Sequence, residues 1–287
     1  MSELVACKDG RPNAALARLQ SFQKAILAEV SAFCAEHDIP FVLAAGSALG
    51  AVRNGDMIPW DDDIDIAMMR DDLRRFEMLW LNHYEGQLSL HSPRTERAYP
   101  LDFVKIRVPG TAMNEPELDA SGMVDGIYLD IFALDVLPRS ATVRTAQKAG
   151  LTLLNLVIMS FSPHTTTVGR SRLVRALRRV ALALRSVLPW RALLPIRDRL
   201  SALGTKRGGV DLVCFEMYGL GHSQRTVIAA NAVFPPARGS FGDLDVPLPR
   251  DTEVYLVGLF GDWRTLPPPD RRQPPHARHV DFGGFKA

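Results

Sequence analysis

The chain has 287 residues, is 47% apolar and 23% charged, and carries a formal net charge of only +2. A chain of this size and apolar content buries a sizeable core, as one large domain or two modest ones, and its near-neutral balance gives no general affinity for nucleic acid. Its 3 cysteines, Cys7, Cys34 and Cys214, are scattered and match neither a disulfide framework nor a zinc knuckle, which favours a reducing compartment.

From Met1 to Arg18 there is no apolar core of the kind a signal peptide carries. The next stretch, Ala14 to His37, repeats Leu16, Leu19, Phe22, Ile26, Val30 and Phe33 at helical spacing and predicts an amphipathic helix with Cys34 on its apolar face. Asp38-Ile39-Pro40 ends it. Phe41 to Ala45 predicts a buried strand feeding a tight turn at Gly46-Ser47, and backbone N–H groups at such a turn, and at the helix start after it, form an anion site. Asp71 to Tyr84 predicts a second helix with Leu73, Phe76, Leu79 and Trp80 facing inward. Short strands at Gln87–Leu90, Phe103–Val108 and Ile127–Phe132 would build a mixed sheet around the strand carrying Asp63. On the middle one, Lys105 and Arg107 share a face, which suits either a nucleotide's phosphates or a plain solvent-facing strand.

Past that point the chain turns helical, from Ala141 to Leu203. Its longest apolar stretch, Ala149 to Phe161, is too short and interrupted to span a bilayer, so a soluble or peripheral cytoplasmic protein is expected. Between Pro163 and Val210 the many arginines and lysines are opposed only by Asp198, so this segment is strongly basic and the remainder net acidic. Leu173, Leu177, Val180, Leu184 and Leu188 recur on one helical face beside Arg172, Arg175 and Arg179. Such a helix between Arg170 and Arg185 suits an anionic membrane surface or an anionic acceptor, or simply packs on the core with its arginines solvated. Pro267 to Pro275 is proline-rich and predicted extended. His276 and His279 have no further ligands near in sequence, and His222 is isolated and structural.

The densest chemistry lies between these elements. Asp61, Asp62, Asp63 and Asp65 put four carboxylates into five positions. Like charges this close repel, so the arrangement suits a shared cation. On a strand, Asp63 and Asp65 face one way while Ile64 and Ile66 enter the core, a geometry for a divalent ion held by oxygens. An EF-hand is excluded by the missing glycine and distal glutamate; a merely decorative acidic loop is the alternative. A strand, a Gly-Ser turn and a later Asp-x-Asp strand are the parts of a nucleotidyltransferase site, and they point to phosphoryl transfer.

The segment from Ala45 to Met69, with Gly46-Ser47, Leu49-Gly50-Ala51-Val52-Arg53 and Ile58-Pro59-Trp60-Asp61-Asp62-Asp63-Ile64-Asp65, resembles the signature of the LicD family of bacterial phosphocholine transferases and fukutin-related ribitol-phosphate transferases. Lys105-Ile106-Arg107 with Thr111, Gly126 to Asp135, and Tyr255 to His276 resemble its later blocks. Many members have Gly-Thr where this chain has Gly46-Ser47. The likeness is weakest between about Arg139 and Gly209. It implies an α/β (α+β) fold, a nucleotidyltransferase-like mixed β-sheet flanked by helices, over residues 1–287 as one domain with a helical, basic insertion at 139–209. It further implies catalysis and metal binding by Asp61, Asp63, Asp65 and Asp130, with Mg²⁺ or Mn²⁺. Asp62 falls at the variable position and is expected to be solvated. Gly46, Ser47 and Arg53, with Lys105 and Arg107, would hold a CDP-linked donor. The acceptor implied is a glycan of lipopolysaccharide or teichoic-acid type or its lipid-linked precursor; the basic helix adds the expectation of a peripheral contact to anionic membrane, and the net charge that of no nucleic acid. Transfer of a nucleoside monophosphate with the same acids, or an idle glycan-binding or membrane scaffold, are the competing expectations.

Overall fold

Three two-residue strands open the computed structural model, β1 (Glu3–Leu4), β2 (Cys7–Lys8) and β3 (Arg11–Pro12). The structure describes residues 2–8, 11–96, 99, 101, 103–114, 126–160, 190–206, 209–214, 227–268, 272 and 277–284. Asn13 caps α1 (Ala14–Glu36) by accepting the Leu16 N–H at 2.9 Å, and its own amide donates to the Leu4 carbonyl at 2.7 Å. The apolar stripe read from the sequence is buried as expected, and burial pushes the Cys34 thiol up to about 12.

The sheet is organised on one long strand, β9 (Tyr128–Leu137). One edge of β9 pairs in parallel with β5 (Asp65–Met69), which pairs antiparallel with β4 (Val42–Leu43). The other edge is shared: β7 (Val104–Arg107) takes its first half and β10 (Asp211–Val213) its last three residues, with β6 (Ser89–His91) outside β7 and β11 (Ile228–Ala229) outside β10. Nearly every residue of β9 is buried on both faces, as a central strand covered on both sides requires. The mixed α/β class expected from the sequence is what the chain adopts, with strand bounds shifted by one to five residues.

Helices cover both faces. On one, α3 (Arg70–His83) buries Leu73, Phe76 and Trp80, leaves Leu79 half-buried, and meets α1 through Phe33, whose ring lies 5.8 Å from Phe76 and 4.8 Å from Trp80. The other face carries α2 (Ala45–Asn54), and α8 (Thr252–Phe260), capped by Asp251, contacts it. After α4 (Ala141–Ser160), the chain is described again from a 3-10 turn at Trp190–Leu193, which leads into α5 (Leu194–Ser201) and α6 (Leu203–Lys206). Asp198 of α5 joins Arg74 at 3.3 Å and Arg94 at 2.8 Å, fastening this segment near α3. The short α7 (Ala230–Val233) and a hairpin of β12 (Ala237–Phe241) and β13 (Leu244–Leu248) precede α8. The tail strand β14 (His279–Asp281) lies between β1 and β8 (Ala112–Asn114). These two- and three-residue strands were not anticipated, since so short a segment shows no periodicity. The basic stretch between Arg170 and Arg185, His222, His276 and most of the proline-rich tail lie outside the described residues.

Candidate active site

The Gly46-Ser47 pair is not a loop. The strand ends at Leu43, Ala45 adopts a positive φ of 44°, and α2 begins there, so both residues sit in its first turn. By helix geometry the first-turn N–H groups have no partner within the helix. That of Ala45 donates to the Tyr255 hydroxyl at 3.2 Å; the N-cap residue, Ala44, has no polar side chain to accept another, and the helix's positive end faces the acids.

Two glycines bring those acids to the helix end. A Cβ on Gly50 would meet the Asp56 carbonyl oxygen at 2.7 Å and the Ile58 nitrogen at 3.0 Å, and a Cβ on Gly46 would meet Asp61 Oδ2 at 2.9 Å. The turn after α2, which leaves through Gly55 at φ 71°, therefore folds back flat against the helix and delivers Asp61 to its N-terminus. From Asp61 to Ile66 the residues alternate between half-buried and buried. This extends the alternation read for Asp63 and Asp65, although only Asp65 belongs to the strand. Ser47 Oγ accepts the Asp65 N–H at 2.8 Å and the Asp65 carbonyl accepts from Ala44 at 2.9 Å, so the first acid of the strand is pinned at both backbone groups.

Asp130 lies directly opposite Asp65 in the parallel pair β5–β9, with its N–H donated to the Ile64 carbonyl at 2.9 Å. Residues opposite one another share a face. Asp61, Asp63, Asp65 and Asp130 are thus brought together, and the Asp65 carboxyl shows it: burial first, then the charges of Asp63, Asp130 and Asp61, hold it well above the ordinary carboxylate range against the pull of Lys105. Carboxylate oxygens of Asp61, Asp62 and Asp63 lie within 4.8 Å of one another.

Asp62 corrects an expectation. It is not solvated but 1% exposed, and its Oδ2 accepts the Ala277 N–H at 2.6 Å. Gln23 of α1 donates to its carbonyl oxygen at 2.5 Å. Asp62 therefore anchors the C-terminal tail beneath the acidic turn, a role that only the tertiary contact reveals. Lys105 and Arg107 do share a face, but the solvent-facing reading fails, because they are 2% and 3% exposed. Lys105 Nζ sits 2.8 Å and 3.0 Å from the two Asp130 oxygens, and Arg107 donates to the Gly126 carbonyl at 3.0 Å. Arg53 is half-buried, donates to the Trp263 carbonyl at 3.4 Å, and lies near enough to Asp61 and Arg272 to feel both charges. His279 is exposed on β14.

Tyr255, on the inner face of α8, is a residue the sequence reading left without a role. Its hydroxyl holds the first N–H of α2, and its ring, with Ala44, Ala67, Phe132 and Leu134, lines a small apolar cavity further along the acid-bearing face. A tyrosine at helical spacing carries no signal that would separate this role from core packing.

A strand, a helix start and a second strand thus converge carboxylates on one face of a mixed sheet. Residues 38–128 match the family model described as LicD/FKTN/FKRP, nucleotidyltransferase domain. The chain is also 31% identical, over 119 residues, to the lipopolysaccharide cholinephosphotransferase LicD of Haemophilus influenzae; the match covers 41% of this chain and 43% of that relative. The resemblance to the LicD family read from the motifs is thus shown over the segment that carries α2 and the acidic turn. The family match stops at Tyr128, two residues before Asp130. Among the described residues, no helix is long and apolar enough to cross a membrane.

Proposed function

We propose that the protein is a metal-dependent phosphotransferase that moves a phospho-alcohol, phosphocholine first among them, from a CDP-linked donor to a hydroxyl of a cell-surface glycan or its lipid-linked precursor. The observation that carries this reading is the convergence of Asp61, Asp63, Asp65 and Asp130 beside the N-terminus of α2. The relative named as a lipopolysaccharide cholinephosphotransferase supports the choice of cargo and acceptor.

The residues fit a hard divalent ion such as Mg²⁺ or Mn²⁺. The donor set is all carboxylate oxygen, and the raised Asp65 shows that the acids outweigh the Lys105 ammonium among them. Asp61, Asp63, Asp65 and Asp130 would hold it, and when bound it neutralises charge on the transferred phosphate and the departing CMP. The first-turn N–H groups of Gly46 and Ser47, with Arg53, take the donor's diphosphate. Lys105 and Arg107 contribute charge from behind the acids. The acceptor oxygen attacks phosphorus in line, the bond to the CMP oxygen breaks, and the hydroxyl proton passes to a site carboxylate. Positioning and fixed charge supply most of the rate. We assign residues 139–209 to an insertion within one domain. Its basic part serves the acceptor or its anionic carrier at the cytoplasmic face of the membrane.

A donor screen tests this reading: CDP-choline, CDP-ribitol, CDP-glycerol and the nucleoside triphosphates, with Mg²⁺ and a lipopolysaccharide acceptor. CMP release from a CDP-alcohol that depends on both metal and acceptor is the expected result. Pyrophosphate release from a triphosphate would make the protein a nucleotidyltransferase instead, and no turnover with any donor would favour the scaffold.

A further inference from the structure

Asp65, Asp130, Lys105 and His91 form one row across four neighbouring strands. Asp65 stands opposite Asp130, Asp130 opposite Lys105, and Lys105 opposite His91. All four side chains therefore leave the same face of the sheet. Lys105 holds a fixed position within this row, between Asp130 and His91. Its ammonium bridges both oxygens of Asp130 and lies 3.1 Å from the centroid of the Tyr128 ring and 5.3 Å from that of Phe103. A lysine used as a mobile phosphate contact keeps its stem free. This one is enclosed by two aromatic rings and a carboxylate.

Sites that transfer phosphoryl groups with two divalent ions hold them about 3.5–4 Å apart, on carboxylates shared between them. Here the outer side of the shared carboxylate is already taken by an ammonium. We propose that Lys105 is a built-in monovalent cation standing where such a site carries its second divalent ion. The protein then works with one ion on Asp61, Asp63 and Asp65, and Asp130 is shared between that ion and Lys105. The inference rests on the metal-dependent reading above. It makes Lys105 a positioning residue: it fixes the direction of the Asp130 carboxylate and caps the number of ions the acids accept.

Mn²⁺ titration of the 287-residue chain without nucleotide, with free Mn²⁺ followed by electron paramagnetic resonance, tests it. The wild-type protein should bind one ion. Lys105→Met leaves Asp130 uncompensated beside Asp65 and should bind a second ion, or bind the first at least about tenfold more tightly. Because a lone buried carboxylate endangers folding, a second comparison avoids it. Asp130→Asn leaves an uncompensated ammonium at the site, and adding Lys105→Met to it should tighten Mn²⁺ by about tenfold relative to Asp130→Asn alone. Two ions on the wild-type protein, or equal affinity in the last two variants, would overturn the proposal. Failure of the wild-type protein to bind Mn²⁺ at all would instead overturn the metal-dependent reading, and this proposal with it.

Discussion

Two clusters of charge lie on opposite faces of the sheet, and they are balanced differently. On the α3 side, Arg70 forks onto Asp135 with contacts of 2.6 and 2.7 Å. Asp198 is joined by Arg74 and Arg94, and Arg94 also holds Glu77 at 2.8 Å. Burial alone would push the Asp198 carboxyl up, yet Arg94 and Arg74 hold it below the ordinary range. On the α2 side, burial and three neighbouring carboxylates drive Asp65 well above that range, and Lys105 only partly offsets them. One cluster is electrostatically complete and holds segments together. The other has an excess of negative charge that folding alone does not resolve, which is what a site for a cation and a phosphate requires.

The comparison is broken most severely by removing an acid. Asp63→Asn or Asp65→Asn should lower turnover at least about a hundredfold, the scale of losing one group that stabilises transition-state charge. Without metal, the melting temperature should hold or rise, because repulsion is relieved. A variant of either kind with near wild-type turnover would remove the metal site. Asp135→Asn should do the reverse. Leaving Arg70 without its carboxylate should cost about 3–5 kcal/mol in urea unfolding, with turnover per folded molecule unchanged.

Gly46→Ala is subtler. The added methyl meets Asp61 Oδ2 at 2.9 Å, so Asp61 must shift. Turnover should fall about tenfold, while stability stays within about 1 kcal/mol because alanine favours the helix. The smallest effect belongs to His91. Burial, then the Arg107 guanidinium, pushes it down from 6.5 to about 4 against the opposing carboxylate of Glu96 at its Nδ1, and so favours the neutral ring in the folded state where the unfolded chain takes up a proton. Its contribution to stability is complete above pH 6.5 and is lost as pH falls toward 4. Urea midpoints of His91→Gln should fall less steeply than wild type over that window; parallel curves would contradict the assignment.

Local pattern carried some of this architecture and not the rest. The stripe of α1, the inward residues of α3 and the alternation through Asp63 and Asp65 are set by periods of 3.6 and 2, so they are legible along the chain. β9 was foreshortened, because a strand buried on both faces shows no alternation to mark its end. Asp62 looked solvated because its partner, Ala277, is 215 positions away. The pairing of Lys105 with Asp130 depends on the register of β7 against β9, which no local spacing encodes. Ser47 carried a legible signal as a small hydroxyl at a strand end; its bond to the Asp65 N–H depends on α2 starting at Ala45.

Melting the metal-free protein with and without excess Mn²⁺, beside Asp65→Asn, tests the central claim most directly. An ion that binds only the folded state adds about 2.7 kcal/mol at a hundred times its dissociation constant. The wild-type protein should gain a clear rise in melting temperature. That rise should grow as pH increases, because ion-free protein loses stability as pH climbs through the raised Asp65 value. Asp65→Asn should gain little. Equal shifts in the two proteins, or none in the wild type, would mean that these carboxylates do not form a cation site.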